Sequence, residues 1–167
     1  LEDRNLNDKQ IYDLLYHKIG EAKPNAISNL KNALQSLKKL QNDVGNQTAY
    51  LVGQRAIKGY VEIGYPGRMT RTLSSRIDIQ GPLYTITDKE RVSDYMESGF
   101  PRPYDKFISL NDYEPISEND IPTASVDLVC LYIGLHHAPK EKLESFVASI
   151  NRILRPGGIF ILMDHDA

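Results

Sequence analysis

Apolar residues along this chain recur with a helical period in its first third and in short β-type runs thereafter. Ile11, Leu14, Leu15 and Ile19 form a stripe at helical spacing, and Gly20 suits a helix end, so residues 7–20 are expected to be helical. Lys23-Pro24-Asn25 interrupts the pattern. Ile27, Leu30, Leu34, Leu37, Leu40 and Val44 then recur every three or four positions, which predicts a helix over 25–44 stopped by Gly45. Residues 48–57 read as a further helix or a connector.

From residue 59 the pattern becomes strand, turn, helix, repeated. Tyr60-Val61 leads into Glu62 and a glycine-containing turn, and a short helix is expected over 70–76. Strands are expected over 83–87, 106–110, 125–132 and 159–163, with Gly81-Pro82 as punctuation before the first of these. Residues 89–97 have helical composition, 99–103 is a loop by its glycine and prolines, and 114–123 is a polar loop. Residues 140–154 give the best helix, with Leu143, Phe146, Val147, Ile150, Ile153 and Leu154 on one face; Pro139 opens it and Arg155-Pro156-Gly157-Gly158 stops it. The near-continuous apolar run of 125–132 predicts a strand covered on both faces. Strands alternating with helices predict right-handed βαβ units and an α/β fold: a Rossmann-like, doubly wound, mostly parallel sheet behind an N-terminal helical preface. Ligands of such sheets bind beyond the carboxyl ends of the strands. Glu62, Asp88, Asn111, Asp112, Tyr132, His136 and Asp164 all lie at or just past such ends, so they are expected to converge on one rim.

Composition narrows the classes. The 167 residues are 41% hydrophobic and 25% charged, enough for one domain with a real core. A net charge of -2 gives no bulk attraction for nucleic acid or anionic lipid. No run approaches the roughly 20 apolar residues of a membrane span, and the opening residues lack signal-peptide character. The single cysteine, Cys130, sits in an apolar strand and reads as a buried, reduced thiol of a cytoplasmic protein rather than half of a catalytic pair with His136 or His137. No His, Cys or acid spacing is diagnostic of a metal site. Gly64-Tyr65-Pro66-Gly67 does not supply the G-x-G-x-x-G of a dinucleotide turn.

Three blocks carry a family resemblance: Ser125-Val126-Asp127-Leu128-Val129, then Leu135-His136-His137, then Ile153-Leu154-Arg155-Pro156-Gly157-Gly158 with the apolar strand after it. With Val61-Glu62-Ile63-Gly64 upstream, residues 59–167 resemble the class I S-adenosylmethionine-dependent methyltransferases of small-molecule type. The resemblance implies residues 1–58 as a helical cap and 59–167 as the cofactor-binding core. The family's fold normally continues with two more strands, so the core is expected to be incomplete at its C-terminus. Further residues, a partner chain or a second copy would then cover the edge of the fifth strand. The cofactor implied is S-adenosyl-L-methionine, with S-adenosyl-L-homocysteine as product and a small-molecule acceptor.

The resemblance also assigns roles. Glu62 would hold the ammonium of the cofactor's methionine part, directly or through water, and Gly64, Tyr65 and Gly67 would form the turn beneath it. Asp88 would accept the ribose hydroxyls, as a strand-end acid does in dinucleotide sites. Asp112 would receive the adenine amino group with Asn111 or Tyr113 flanking the ring, and Tyr132 would line the methionine part. Pro66 and Arg68 stand where the family usually carries glycine; Arg68 reads as solvent-facing or as a partner for the cofactor's carboxylate. Methyl transfer from a sulfonium needs mainly alignment, with a general base where the acceptor is a hydroxyl or protonated amine. His136, His137 and His165, beside Asp164 and Asp166, are the candidates for that base. The alternative reading is a methyltransferase-like binding module without catalysis.

Overall fold

The computed structural model describes residue 17 and residues 26–64, 67–88, 103–132 and 134–164. The helices expected over 7–20 and 89–97 and the loop at 99–103 lie outside or mostly outside these. Two compact units emerge, Leu1–Leu40 and Gln41–Ala167. In chain order the elements are α1 (Ala26–Val52), β1 (Ile57–Ile63), α2 (Thr70–Ser74), β2 (Ile79–Thr87), β3 (Lys106–Ser109), β4 (Val126–Tyr132), α3 (Lys140–Ile153) and β5 (Leu154–Met163).

The five strands form one sheet in the order β3-β2-β1-β4-β5, with every neighbouring pair parallel. This is the Rossmann-like arrangement the βαβ pattern predicts. The chain leaves β1 toward β2 on one side and returns to β4 on the other, so the order reverses at β1. Strand parity sorts the core into two layers. Val61, Ile63, Ile86, Val129 and Phe146 belong to the layer beneath α3, while Tyr60, Leu73, Leu128, Cys130 and Tyr132 belong to the layer on the side of α2 and the end of α1.

Three glycine-based boundaries differ from expectation. Gly45 does not stop α1, which continues to Val52. It lies on the buried side of the helix, and a Cβ there would stand 2.6 Å from the Thr72 side chain, so glycine permits close approach of α1 and α2. Gly81-Pro82 does not precede β2 but lies inside it, opposite a register shift at Gly59. Both glycines have left-handed φ, +92° and +104°, as a bulge requires. Arg155-Pro156-Gly157-Gly158 ends α3 as expected, yet sits within β5, as an excursion between the Val126–Leu154 and Leu128–Ile159 pairs. Asp127 steadies that corner: it accepts the Lys58 N–H at 2.7 Å and lies 3.8 Å from Arg155. On α3, Phe146, Ile150 and Ile153 are buried, but Leu143 turns outward. β3 and β5 form the two edges of the described sheet, and Leu162 on β5 is 47% exposed.

Candidate functional site

The site is built from what each strand delivers at its carboxyl end. β1 ends in Gly64, whose φ of +99° turns the chain without a Cβ in the way. Its N–H bonds the Ile86 carbonyl at 2.8 Å and its carbonyl accepts the Thr87 hydroxyl at 3.3 Å, so the turn is pinned to β2. Asp88 follows Thr87 directly and is exposed at the rim.

Glu62, the expected ammonium partner, lies within β1 rather than past its end, and faces inward. Its position in β1 aims the side chain into the α2 layer, where it is wholly buried. The carboxylate accepts the Met69 N–H at 3.0 and 3.1 Å, the Thr70 hydroxyl at 2.8 Å and the Tyr60 hydroxyl at 3.3 Å. It thereby ties the turn after β1 to the start of α2. Burial pushes its pKa up to about 7, against the opposing pull of those donors. Gly67, in the same turn, packs under Pro103 and Tyr104: a Cβ would stand 2.8 Å from the proline ring. Arg68 is half-buried rather than solvent-facing, and its carbonyl accepts Gln41 Nε2 at 3.3 Å. Tyr65 and Pro66 lie outside the described residues.

Tyr132 also faces inward. It is 2% exposed, and its hydroxyl is 3.2 Å from Thr48 Oγ1 on α1. Its side chain is part of the core on that face of the sheet. Cys130 lies in the same layer, fully buried, with its thiol pKa pushed up to about 12 chiefly by burial. It is packed as a structural thiol, as expected.

After β3 the chain makes an unusual turn. Asn111, Asp112 and Tyr113 all have positive φ, 46°, 54° and 59°, a conformation costing a non-glycine residue roughly 1–2 kcal/mol. Lys142 of α3 holds it: Nζ reaches Asp112 Oδ2 at 2.9 Å, the Asp112 carbonyl at 3.1 Å and Glu114 Oε1 at 2.8 Å. Sequence reasoning missed Lys142, which reads as one of several polar residues on a helix. Asp112, the expected adenine partner, is thus in an ion pair with its side chain still largely exposed.

β4 and β5 deliver the third group. Gly134 (φ +129°) opens a single helical turn, Leu135–His137. Asp164 accepts the His136 N–H at 3.0 Å and contacts His136 Nδ1 at 2.5 Å, and the Gly134 N–H is 3.5 Å away. His137 lies against His136, ring centroids 4.0 Å apart. His165 and Asp166 lie outside the described residues. The Tyr113 hydroxyl donates to the Gly134 carbonyl at 2.5 Å and links the β3 and β4 ends. Its pKa is raised first by burial and then by the charges of Asp88, Asp164 and Asp112. Asp88, Asp112 and Asp164 follow β2, β3 and β5 in the sheet. Among the described residues, no group of His, Cys and acids is arranged to hold a metal ion, and no helix is long and apolar enough to cross a membrane.

In a parallel sheet whose order reverses at β1, the place for a ligand is the crevice beyond the carboxyl ends of the strands. A family model described as a methyltransferase domain matches residues 64–162. The chain belongs to that family, the class I S-adenosylmethionine-dependent methyltransferases. Among solved structures, it is similar to a Methanococcus maripaludis protein described provisionally as an S-adenosyl-L-methionine-dependent methyltransferase, at 14% identity and TM-score 0.58, covering 82% of this chain and 61% of that one. Weaker likenesses, both at TM-score 0.49 and 15% identity, reach an Aquifex aeolicus methyltransferase (73% of this chain, 67% of that) and a Burkholderia thailandensis 1,6-didemethyltoxoflavin-N1-methyltransferase (96% and 65%). These two carry no argument, and the first speaks for the fold alone. The chain spans 61% of the first of these relatives and as little as 29% of another methyltransferase it resembles. No curated protein matches this sequence.

Proposed function

We propose that this protein transfers the methyl group of S-adenosyl-L-methionine to a small-molecule acceptor. One observation carries the reading: in a parallel sheet whose strand order reverses at β1, Asp88, Asp112 and Asp164 all follow the carboxyl ends of strands. That donor set suits a cofactor bearing a sulfonium, an ammonium and two ribose hydroxyls. When bound, the cofactor supplies an electrophilic methyl group. In this reading Asp88 accepts the ribose hydroxyls, and the exposed side chains of Asn111 and Asp112 border the adenine. Glu62 acts at one remove, by fixing the turn that carries Gly64 and Gly67. His136, with Nδ1 turned to Asp164, takes the proton of a hydroxyl or ammonium acceptor. The Asp164 contact favours the tautomer protonated at Nδ1, which gives Nε2 the basic lone pair. His137 and His165 are lesser candidates. We also propose that a further strand of the polypeptide or a partner chain covers the edge of β5, where Leu162 is exposed.

Calorimetric titration of the full-length protein with S-adenosyl-L-homocysteine tests the cofactor assignment. Saturable one-to-one binding is expected, and absence of heat overturns it. Turnover of labelled S-adenosyl-L-methionine on a panel of hydroxyl and amine acceptors separates an enzyme from a binding module.

A further inference from the structure

Tyr113, expected as the alternative to Asn111 for flanking the adenine ring, makes a hydroxyl contact that the candidate chemistry does not use. Its backbone follows β3, yet its hydroxyl bonds the carbonyl of Gly134, which follows β4. Two strands, β2 and β1, lie between those elements in the sheet. The tyrosine therefore joins the segment after β3 to the segment after β4, from the α3 side of the sheet. Several features hold it there. The Leu110 N–H bonds the Thr87 carbonyl at 3.0 Å, continuing the β2–β3 ladder up to the turn. Three left-handed residues then turn it, and Lys142 clamps the turn through Asp112 and Glu114. The tyrosine ring stands edge-on to buried Phe146 of α3, centroids 5.3 Å apart at 82°. Gly134 itself has φ +129°, a conformation that suits glycine.

The Gly134 peptide is gripped from two sides. Its carbonyl accepts the Tyr113 hydroxyl and the His137 N–H, while Asp164 of the opposite flank takes the His136 N–H. We propose that Tyr113 is a positioning residue: its hydroxyl is a strut across the crevice that sets the loop after β4 against the bound cofactor. This rests on the methyltransferase reading above. A strained, clamped turn that ends in one directed hydrogen bond is costly as mere loop packing, because the aromatic ring alone would satisfy Phe146.

Tyr113→Phe in the full-length protein tests it, since this keeps the ring and deletes the hydroxyl. Two readouts are taken: hydrogen exchange of residues 134–138 without ligand, and calorimetric affinity for S-adenosyl-L-homocysteine. Expected are faster exchange in that loop, a roughly fivefold rise in Kd, as for loss of one ordinary hydrogen bond, and an unligated unfolding midpoint unchanged within about 2 °C. Unchanged exchange overturns the strut. Faster exchange with unchanged affinity overturns its positioning role, and so does a large fall in the unligated midpoint, which would make the hydroxyl a fold element. Failure of the wild-type protein to bind S-adenosyl-L-homocysteine overturns the methyltransferase reading itself. The ligand-free exchange comparison then still reports separately on whether the strut exists.

Discussion

Acidic and hydroxyl side chains occur in two regions of this molecule, and the regions treat them in opposite ways. Between the sheet and the α1–α2 layer lie Glu62, Tyr60, Tyr132 and Thr48, all buried and bonded to one another or to Met69 and Thr70. Along the carboxyl rim lie Asp88, Asp112 and His136, exposed, with Asp164 half-buried behind the histidine. The same strands feed both sets. In the interior, a polar group without a partner costs about 1–3 kcal/mol, so every acceptor is matched to a donor. At the rim water can serve, so Asp88 stands exposed where a ligand can reach it. Buried Glu62 ties β1 to α2, whereas the rim acids Asp88 and Asp112 face solvent.

Substitutions can break that division. The largest effect is expected at Glu62. Glu62→Ala leaves a buried N–H and two hydroxyls without their acceptor, and should lower unfolding free energy by about 3 kcal/mol in urea titrations. An unchanged midpoint would place Glu62 with the rim set. The same residue predicts a pH dependence. Its folded-state pKa, about 7, lies above the ordinary 4.5, so the folded chain keeps the proton to higher pH than the unfolded chain. That contribution is complete below about pH 4.5 and is lost as pH rises through about 7; it amounts to about 3 kcal/mol. Glu62→Gln should flatten this decline, as comparison of unfolding at pH 5 and pH 8 would show.

Next comes Asp88→Asn. A charge-assisted hydrogen bond contributes about 1.5–3 kcal/mol, so affinity for S-adenosyl-L-homocysteine should fall roughly ten- to hundredfold with stability unchanged. Unchanged affinity would remove Asp88 from the ribose site. The smallest effect is expected at Tyr132→Phe. Deleting this hydroxyl, which pairs with Thr48, should cost about 1 kcal/mol of stability. Ligand affinity should hold steady, and a selective loss of affinity would return Tyr132 to the site.

Much of this architecture is legible in the linear pattern. Near-continuous apolar runs marked the buried strands, and the 3.6-residue stripe of 140–154 marked α3, because each element must bury a face. The block from Ser125 to Met163 carried the family. Glycine was harder to read. Gly45, Gly81 and Gly157-Gly158 looked like stops, yet each sits inside an element, the first because α2 approaches α1 closely and the others because the strands bulge.

By itself the sequence determined that acids end the strands of a parallel α/β sheet. In the structure β1 runs on to Ile63, and strand parity puts Tyr60 and Glu62 on one face and Val61 and Ile63 on the other. The sequence did not determine what covers each face, because that depends on where the crossover connections pass and which helix they lay down. Only the tertiary structure turned Glu62 toward Met69 and Thr70, set Tyr132 against Thr48, and brought Lys142 and Tyr113 to the rim from elements far apart in the chain. Periodicity reports whether a position is inside, and the partner it finds there is fixed by packing across the whole sheet.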